Sequence, residues 1–213
     1  MSSIESDRPD IDTGRRASAR GRSGAPIPDA VFRATEELLA EGLLQRLTVS
    51  RILARASVSR TSFYYHFPSK DAVLVAMLEQ VAAHADAQIA QLSDRQLEAD
   101  AAIRVALEAS VELWERHSAI LLVAQGALRD DSELGEQWRT LVEERFVRPF
   151  AERLRRQQAA GRLAAGHDPL ALSRALHWMT EQALYAHIAG TDRTPPRIVV
   201  DALAHVWSAS LGR

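Results

Sequence analysis

The residues best equipped for chemistry lie between Thr48 and Lys70, in the segment TVSRILARASVSRTSFYYHFPSK. Its second half gathers Arg60, Thr61, Ser62, Tyr64, Tyr65 and His66 between Ser59 and Pro68, with no carboxylate among them. Hydroxyls, phenols and a guanidinium make no acid–base pair. They do make hydrogen-bond donors suited to phosphate oxygens and base edges. At 100° per residue, Phe63 and Phe67 fall within about 40° of each other and point together into a core. Thr61, Ser62 and Tyr65 face the other way, flanked by Arg60 and Tyr64. Short hydroxyls let a backbone come close to phosphates or base edges, and arginine can donate bidentately to guanine. Tyr64, His66 and Lys70 are placed as phosphate clamps, as is Thr48 at the start of the preceding helix. His66 fits a neutral packing residue equally well.

These side chains need a frame. Val49, Ile52, Leu53 and Ala56 recur at helical spacing behind Thr48, an N-cap residue type. Ser57-Val58-Ser59 breaks that helix, and Ser59 caps the next, which Pro68 stops. Ser69 caps again, and Asp71 in the first turn suits the dipole of a long helix to about Leu92. Upstream, Val31, Ala34, Leu38 and Leu39 predict a helix from Pro28 that ends at Gly42. Three short helices, the second and third joined by a tight turn, are the layout of a helix-turn-helix reader of DNA.

Charge follows the same division. The chain of 213 residues has a net charge of −2, but residues 15–70 alone hold nine Arg and one Lys against four acids. Residues 1–14 and 71–213 are both net acidic. A basic first third on an acidic body suggests that this third meets a polyanion, or that the clustering is fortuitous. Residues 1–26 are rich in Ser, Gly, Arg and Asp and read as a disordered basic arm. Arg15, Arg16, Arg20 and Arg22 make it either a DNA-touching arm or a solvated tail.

The remaining chain reads as helices with recognisable ends: Ala101 to about His117, Ile120 to Ala127, and a long one from Ser132 to about Ala160. Pro149 should kink that long helix. Asp168-Pro169 opens Leu170–Gly190, and Thr194 with Pro195 and Pro196 opens the last, to about Leu211. The fold is therefore all-α with about nine helices: a helix-turn-helix domain at 27–70 and a helical body at 71–213. The absence of cysteine excludes disulfides and thiolate metal sites. No apolar run approaches the ~20 residues that span a bilayer, and the amino terminus lacks the apolar centre of a signal peptide. A cytoplasmic protein is expected.

Seven histidines are scattered without H-E-x-x-H, and neither G-x-S-x-G nor a phosphate-cradling glycine loop occurs. His177 and Glu181 lie one turn apart, a pair common by chance and without further ligands. Catalysis is not expected. Trp114, Trp138, Phe146, Phe150, Trp178, Tyr185 and Trp207 all fall on body helices, where they either fill core or line a pocket. Two apolar stripes, Ala175-Leu176-Met179-Ala183-Ala186 and Val199-Leu203-Val206-Ser210, suit a four-helix dimer bundle or an intramolecular core.

The segment TVSRILARASVSRTSFYYHFPSKDAVL resembles the DNA-binding region of the TetR family of repressors, and SFYYHFPSKDAVL matches its signature almost position for position. The arm residues Gly14–Arg16, with LHWMTEQALYAHIAG and VVDALAHVWSASL near the end, resemble the ethionamide-resistance repressor subgroup. That resemblance implies operator contacts by Thr48, Ser59, Arg60, Thr61, Ser62, Tyr64, Tyr65, His66 and Lys70. It implies a homodimer formed through the last two helices, bound to double-stranded operator DNA of pseudo-palindromic sequence. It further implies release by a lipophilic small-molecule effector held lengthwise in the body, and no cofactor or metal. Trp114, Phe146, Met179, Thr180, Tyr185 and Trp207 become pocket candidates, and His177 the polar group an effector meets. The alternative is a carrier of small lipophiles, which would have no use for the Thr48–Lys70 segment. Two departures stand out: Ser57 where the family turn usually holds Gly, and Leu53 where it usually holds Ala. A residue other than glycine costs on the order of 1 kcal/mol at positive φ, so a slightly altered turn is expected, with the motif kept.

Overall fold

The computed structural model of the chain describes residues 26–42, 46–93, 99–129, 132–163 and 166–211. The arm expected over residues 1–26, including Arg15, Arg16, Arg20 and Arg22, lies outside the described residues except for Pro26. The described residues form helices α1 (Ile27–Ala40), α2 (Val49–Ala56), α3 (Arg60–His66), α4 (Lys70–Ser93), α5 (Ala99–Arg116) and α6 (Ser118–Ala127). They continue with α7 (Glu133–Val142), a π-turn (Glu143–Val147) and α8 (Arg148–Ala159), then α9 (Pro169–Ile188) and α10 (Pro196–Ser210). Since α7, the π-turn and α8 are continuous, these make nine helical rods, with no strand among the described residues.

Most ends have the chemistry expected of them. Thr48, Ser59, Ser132 and Asp168 each accept a hydrogen bond from a backbone N–H in the first turn of α2, α3, α7 and α9, which satisfies donors the helix leaves unpaired. Thr194 does not cap α10. Its hydroxyl donates to Asp192 Oδ1 at 2.7 Å, and Pro195 stands at the cap instead. Ser57 does not alter the turn after α2, because it takes the left-handed conformation itself, at φ 55°. The Ser57 and Val58 N–H groups both return to the Leu53 carbonyl. Leu53, the other departure, is half-buried against the core.

The disturbance expected at Pro149 appears one turn early, as the π-turn. A proline lacks the N–H that would bond four residues back. The rod widens ahead of it, so that the Arg148 N–H reaches the Glu143 carbonyl. Ser173 of α9 donates to the nearby Val147 carbonyl at 2.7 Å.

One apolar core runs through the molecule, from Val31, Ile52 and Phe63 through Val73, Leu74 and Leu78 of α4 to Trp114, Ile120 and Leu184. Helix α4 joins the two ends, packing on α1, α5, α6 and α7. At the α6–α7 corner the chain passes itself so closely that a Cβ on Gly135 would lie 2.2 Å from the Ala127 carbonyl oxygen. No helix among the described residues is long and apolar enough to cross a membrane.

Candidate functional site

The first surface is built on α3. Phe63 is fully buried and Phe67 nearly so. Their rings lie 5.8 Å apart, and Phe67 packs on Phe32 of α1 at 5.5 Å. This aromatic anchor fixes the roll of the helix about its axis. Tyr65, opposite the anchor, is 85% exposed, and Tyr64 on the flank is 46% exposed. Thr61 and His66 are exposed as well, and His66 meets the Tyr65 ring edge to face at 5.0 Å. Its exposed placement excludes the reading of His66 as a buried packing residue.

Some of the predicted contact residues spend their hydrogen bonds inside the motif. Ser59 Oγ accepts from the Ser62 N–H at 3.1 Å and donates to Ser62 Oγ at 2.8 Å. Thr48 Oγ1 accepts from the Arg51 N–H, although its side chain remains exposed. Arg60 donates to Ser50 Oγ at 3.4 Å, a contact that lays the guanidinium along α2. Neither Arg60 nor Lys70 forms an ion pair among the described residues, so both charges are available to an anion. Arg55, by contrast, is held by Glu37 at 3.2 Å and Glu41 at 2.8 Å, which ties α2 to α1. Those bonds lower the Glu41 carboxyl below its ordinary range and raise Arg55.

The second site is a cavity of about 640 Å³ lined by α4, α5, α6, the rod from α7 to α8, α9 and α10. It extends along α5 from Ala102 to Trp114, roughly 18 Å at 1.5 Å per residue. Its wall is mostly apolar: Ile103, Leu107, Leu113, Leu121, Pro149 and Leu163 are representative. Five of the seven sequence candidates line it, namely Trp114, Phe146, His177, Thr180 and Trp207. Met179 and Tyr185 do not. They turn to other sides of α9, where Met179 packs half-buried on the core and Tyr185 carries the Arg129 guanidinium over its ring at 5.2 Å. Trp138 and Phe150, read only as general body aromatics, do line it, and Phe150 packs on Trp207 at 5.3 Å.

The polar groups of this wall differ in what they have left to offer. Thr180 is saturated as a donor, since its hydroxyl donates to the Leu176 carbonyl at 2.9 Å and accepts from Trp207 Nε1 at 3.1 Å. His177 stacks on Phe146 at 5.7 Å and 11°, and its Nε2 is buried without a partner. Burial lowers the imidazole to about 4, against a smaller opposing effect of Glu143. The ring is therefore neutral at pH 7.

Glu181 is the group that sequence reasoning missed. The sequence offers it only as half of a pair with His177 one turn away, yet it lines the cavity as a carboxyl held by two N–H donors. Trp114 Nε1 donates to Oε1 at 3.3 Å and Gln125 Nε2 to Oε2 at 3.2 Å. Part of its surface faces the cavity, but protein encloses the carboxyl, and burial pushes it up to about 7 against both hydrogen bonds. The signal in the sequence was a glutamate on the same stripe of an apolar helix as His177 and Thr180.

The two apolar stripes divide. Leu176, Val199 and Leu203 are buried within the subunit, so the intramolecular reading holds for them. Ala175 and Val206 are exposed, Met179, Ala183, Ala186 and Ser210 are half-buried, and Ile198 adds a further exposed apolar side chain at 48%.

Comparison with known proteins agrees with this arrangement. Residues 31–77 match the family model described as bacterial regulatory proteins, tetR family, and residues 103–211 match that of the transcriptional regulator EthR, C-terminal domain. The chain is 28% identical over 216 residues to the HTH-type transcriptional regulator EthR of Mycobacterium tuberculosis, covering 99% of this chain and 98% of that one. The corresponding regulator of Mycolicibacterium smegmatis is 28% identical over 202 residues, covering 93% and 91%. Among solved structures, a putative TetR-family regulator from Syntrophomonas wolfei superposes with a TM-score of 0.75 at 12% identity, covering 87% of this chain and 95% of that one. The transcriptional regulator FadR from Bacillus subtilis, solved in complex with stearoyl-CoA, gives 0.72 at 14% identity, covering 85% and 98%.

Proposed function

The chain belongs to the TetR family of bacterial regulatory proteins, with an EthR-type C-terminal domain, and from that premise we propose a dimeric, effector-released repressor. In this reading two copies of α3 enter successive major grooves of a pseudo-palindromic operator, about one helical turn apart. Tyr64, Tyr65, Thr61 and Arg60 face the DNA, and Lys70, His66 and Thr48 hold phosphates. The observation that carries it is the outward face of α3: a highly exposed tyrosine, hydroxyls and an unpaired guanidinium on a helix locked by two buried phenylalanines. A carrier of lipophiles gains nothing from such a face.

Release follows from α4. Val73 and Leu74 in its first turns share the core with Phe63 and Phe67 of α3, and farther along Val81, Ala85 and Asp86 line the cavity. A lipophilic occupant that fits better with α4 displaced favours the state whose α3 helices no longer match the groove spacing. It must prefer that state, since equal affinity for both shifts nothing. The partner subunit docks on the outer faces of α9 and α10, where Ile198, Val206 and Ala175 are exposed.

Gel-shift titration against the DNA upstream of the protein's own coding region tests the core of this reading. Wild type should bind it in a salt-sensitive manner, and Arg60→Ala or Tyr64→Ala should weaken binding about 10-fold or more. Equal affinity for scrambled DNA would remove the operator-specific reading and favour the carrier.

A further inference from the structure

The polar atoms of the cavity wall are mostly committed already. Arg145 pairs with Asp86 at 3.0 Å, and Glu144 with Arg148 at 3.3 Å. Ser110 donates to the Ala106 carbonyl, Ser173 to that of Val147 and Thr180 to that of Leu176. Trp138 Nε1 is buried in the same wall without a partner, and Arg153, exposed where it lines the cavity, forms no ion pair among the described residues. Two further groups lie on α9, the Glu181 carboxyl and His177 Nε2. Four residues apart on α9, they share one face of the helix.

The shell around Glu181 is asymmetric. Both of its oxygens accept from N–H donors, and an indole can only donate. A protonated carboxyl needs an acceptor for its own O–H, and neither partner as placed provides one. The ionised form is well served by donors, yet no Lys, Arg or His side chain pairs with it among the described residues. The protein thus supplies everything a buried carboxylate needs except the opposite charge, whose absence makes such burial costly.

The side of Glu181 that protein atoms leave uncovered faces the largely apolar cavity. Trp114, bonded to the carboxylate, brings an aromatic wall to the same place, and Phe146 stacks on the neighbouring His177. Aromatic faces favour a cation held beside them. Neutral His177 brings no competing positive charge to the same face of α9.

Given that the cavity is the effector site, we propose that the effector is an elongated apolar molecule bearing one basic nitrogen, with its ammonium group bound to Glu181. His177, one turn away, lines the same wall with its ring stacked on Phe146. The hydrocarbon part lies along α5 toward Ala102 and Trp207. Selectivity follows from charge: an alcohol donates only one hydrogen bond to the carboxylate, and a fatty acid brings a like charge against it. With its carboxyl near half-ionised at pH 7, the free protein ionises this group at small cost when the cation arrives.

Decylamine, decanol and decanoic acid, matched in chain length, separate the possibilities when titrated into the full chain below their aggregation limits. Intrinsic tryptophan fluorescence reports occupancy, since Trp114, Trp138 and Trp207 line the cavity. Decylamine should bind at least ~10-fold more tightly than decanol, with decanoic acid weakest. In Glu181→Gln the amine's advantage over decanol should fall below about 2-fold, with circular dichroism verifying the fold. Decanol or decanoic acid binding as tightly as decylamine to wild type overturns the proposal and leaves the lipophilic cavity standing. Amine selectivity retained in Glu181→Gln overturns the role of Glu181. No binding of any probe by a chain that still shifts operator DNA overturns the effector-cavity reading, and this proposal with it.

Discussion

Helices α3 and α9 each turn a row of polar side chains away from packed apolar neighbours, but toward opposite surroundings. On α3 the row meets solvent, so Tyr65, Thr61 and His66 are hydrated without a partner and cost the fold little. On α9 the row of His177, Thr180 and Glu181 meets a largely apolar cavity, where a buried group without a partner is expensive. Thr180 resolves this within the chain, and Glu181 resolves it in part. A surface that reads DNA can be assembled from exposed polar groups at almost no folding cost. Where a cavity wall stores unsatisfied polarity, that polarity marks what a ligand would have to bring.

The sharpest way to break the comparison is within α3 itself. Phe63→Ala removes a fully buried ring from the core that orients the helix and should lower stability by about 3–5 kcal/mol. Operator binding would be lost with it. Tyr65→Ala, two residues away and 85% exposed, should leave stability within about 0.5 kcal/mol while weakening operator binding about 10-fold. Denaturation midpoints paired with gel shifts check both. A Tyr65→Ala variant that melts as early as Phe63→Ala would show that the outward face of α3 is structural.

On α9 the corresponding test uses pH, because the two buried groups are shifted in opposite senses. Glu181 is raised from the usual 4.5 to about 7, so the folded state holds its proton more tightly than the unfolded chain. Its contribution to stability is complete below pH 4.5 and is lost as pH rises through 7. His177 is lowered from 6.5 to about 4, so the unfolded chain takes up its proton first. Its contribution is complete above pH 6.5 and is lost as pH falls through 4. Between pH 4.5 and 6.5 the two slopes oppose each other. Relative to wild type, Glu181→Gln should therefore gain stability as pH rises through that window, and His177→Gln should lose it. Each difference should be roughly 3 kcal/mol across the full shift. Denaturant midpoints between pH 4 and 8 at fixed protein concentration measure it. Parallel wild-type and variant profiles would mean that water reaches these groups freely and that the cavity stores no such polarity.

The two regions also differ in how far the sequence discloses them. The α3 surface was legible because everything that makes it lies within about two turns: the Phe63–Phe67 spacing sets the roll, Ser59 and Pro68 set the ends. The helix order was legible for the same local reasons, with Asp168-Pro169 the clearest example. The Glu181 site was not, because Trp114, Gln125 and Glu181 come from three helices and their bonds span 67 and 56 residues. Helical periodicity assigns a residue to a stripe, but it does not say whether the neighbouring helix covers that stripe or leaves a gap. Hence Tyr185 and Met179, plausible by type, fall outside the cavity, while Trp138 and Phe150 fall inside it. The stripes of α9 and α10 were ambiguous for the same reason, and Leu176, Val199 and Leu203 proved to be interior.

The smallest expected effect concerns the turn that delivers α3 to the surface. Ser57 holds φ 55° and ψ 41°, and its side chain makes no hydrogen bond among the described residues. A Cβ in the left-handed region is strained by roughly 1–2 kcal/mol, and glycine removes that strain. Glycine also gives the unfolded chain more freedom, which returns about 0.5–1 kcal/mol of the gain. Ser57→Gly should thus stabilise by under about 1 kcal/mol, seen as a rise of about 1–3 °C in melting temperature. Operator affinity should change less than about 2-fold, because the Leu53 carbonyl keeps both N–H bonds that set the angle between α2 and α3. A fall in melting temperature would place the Ser57 hydroxyl among the groups that hold the motif. A loss of operator affinity at unchanged stability would instead place it at the DNA surface, beside Ser59 and Thr61.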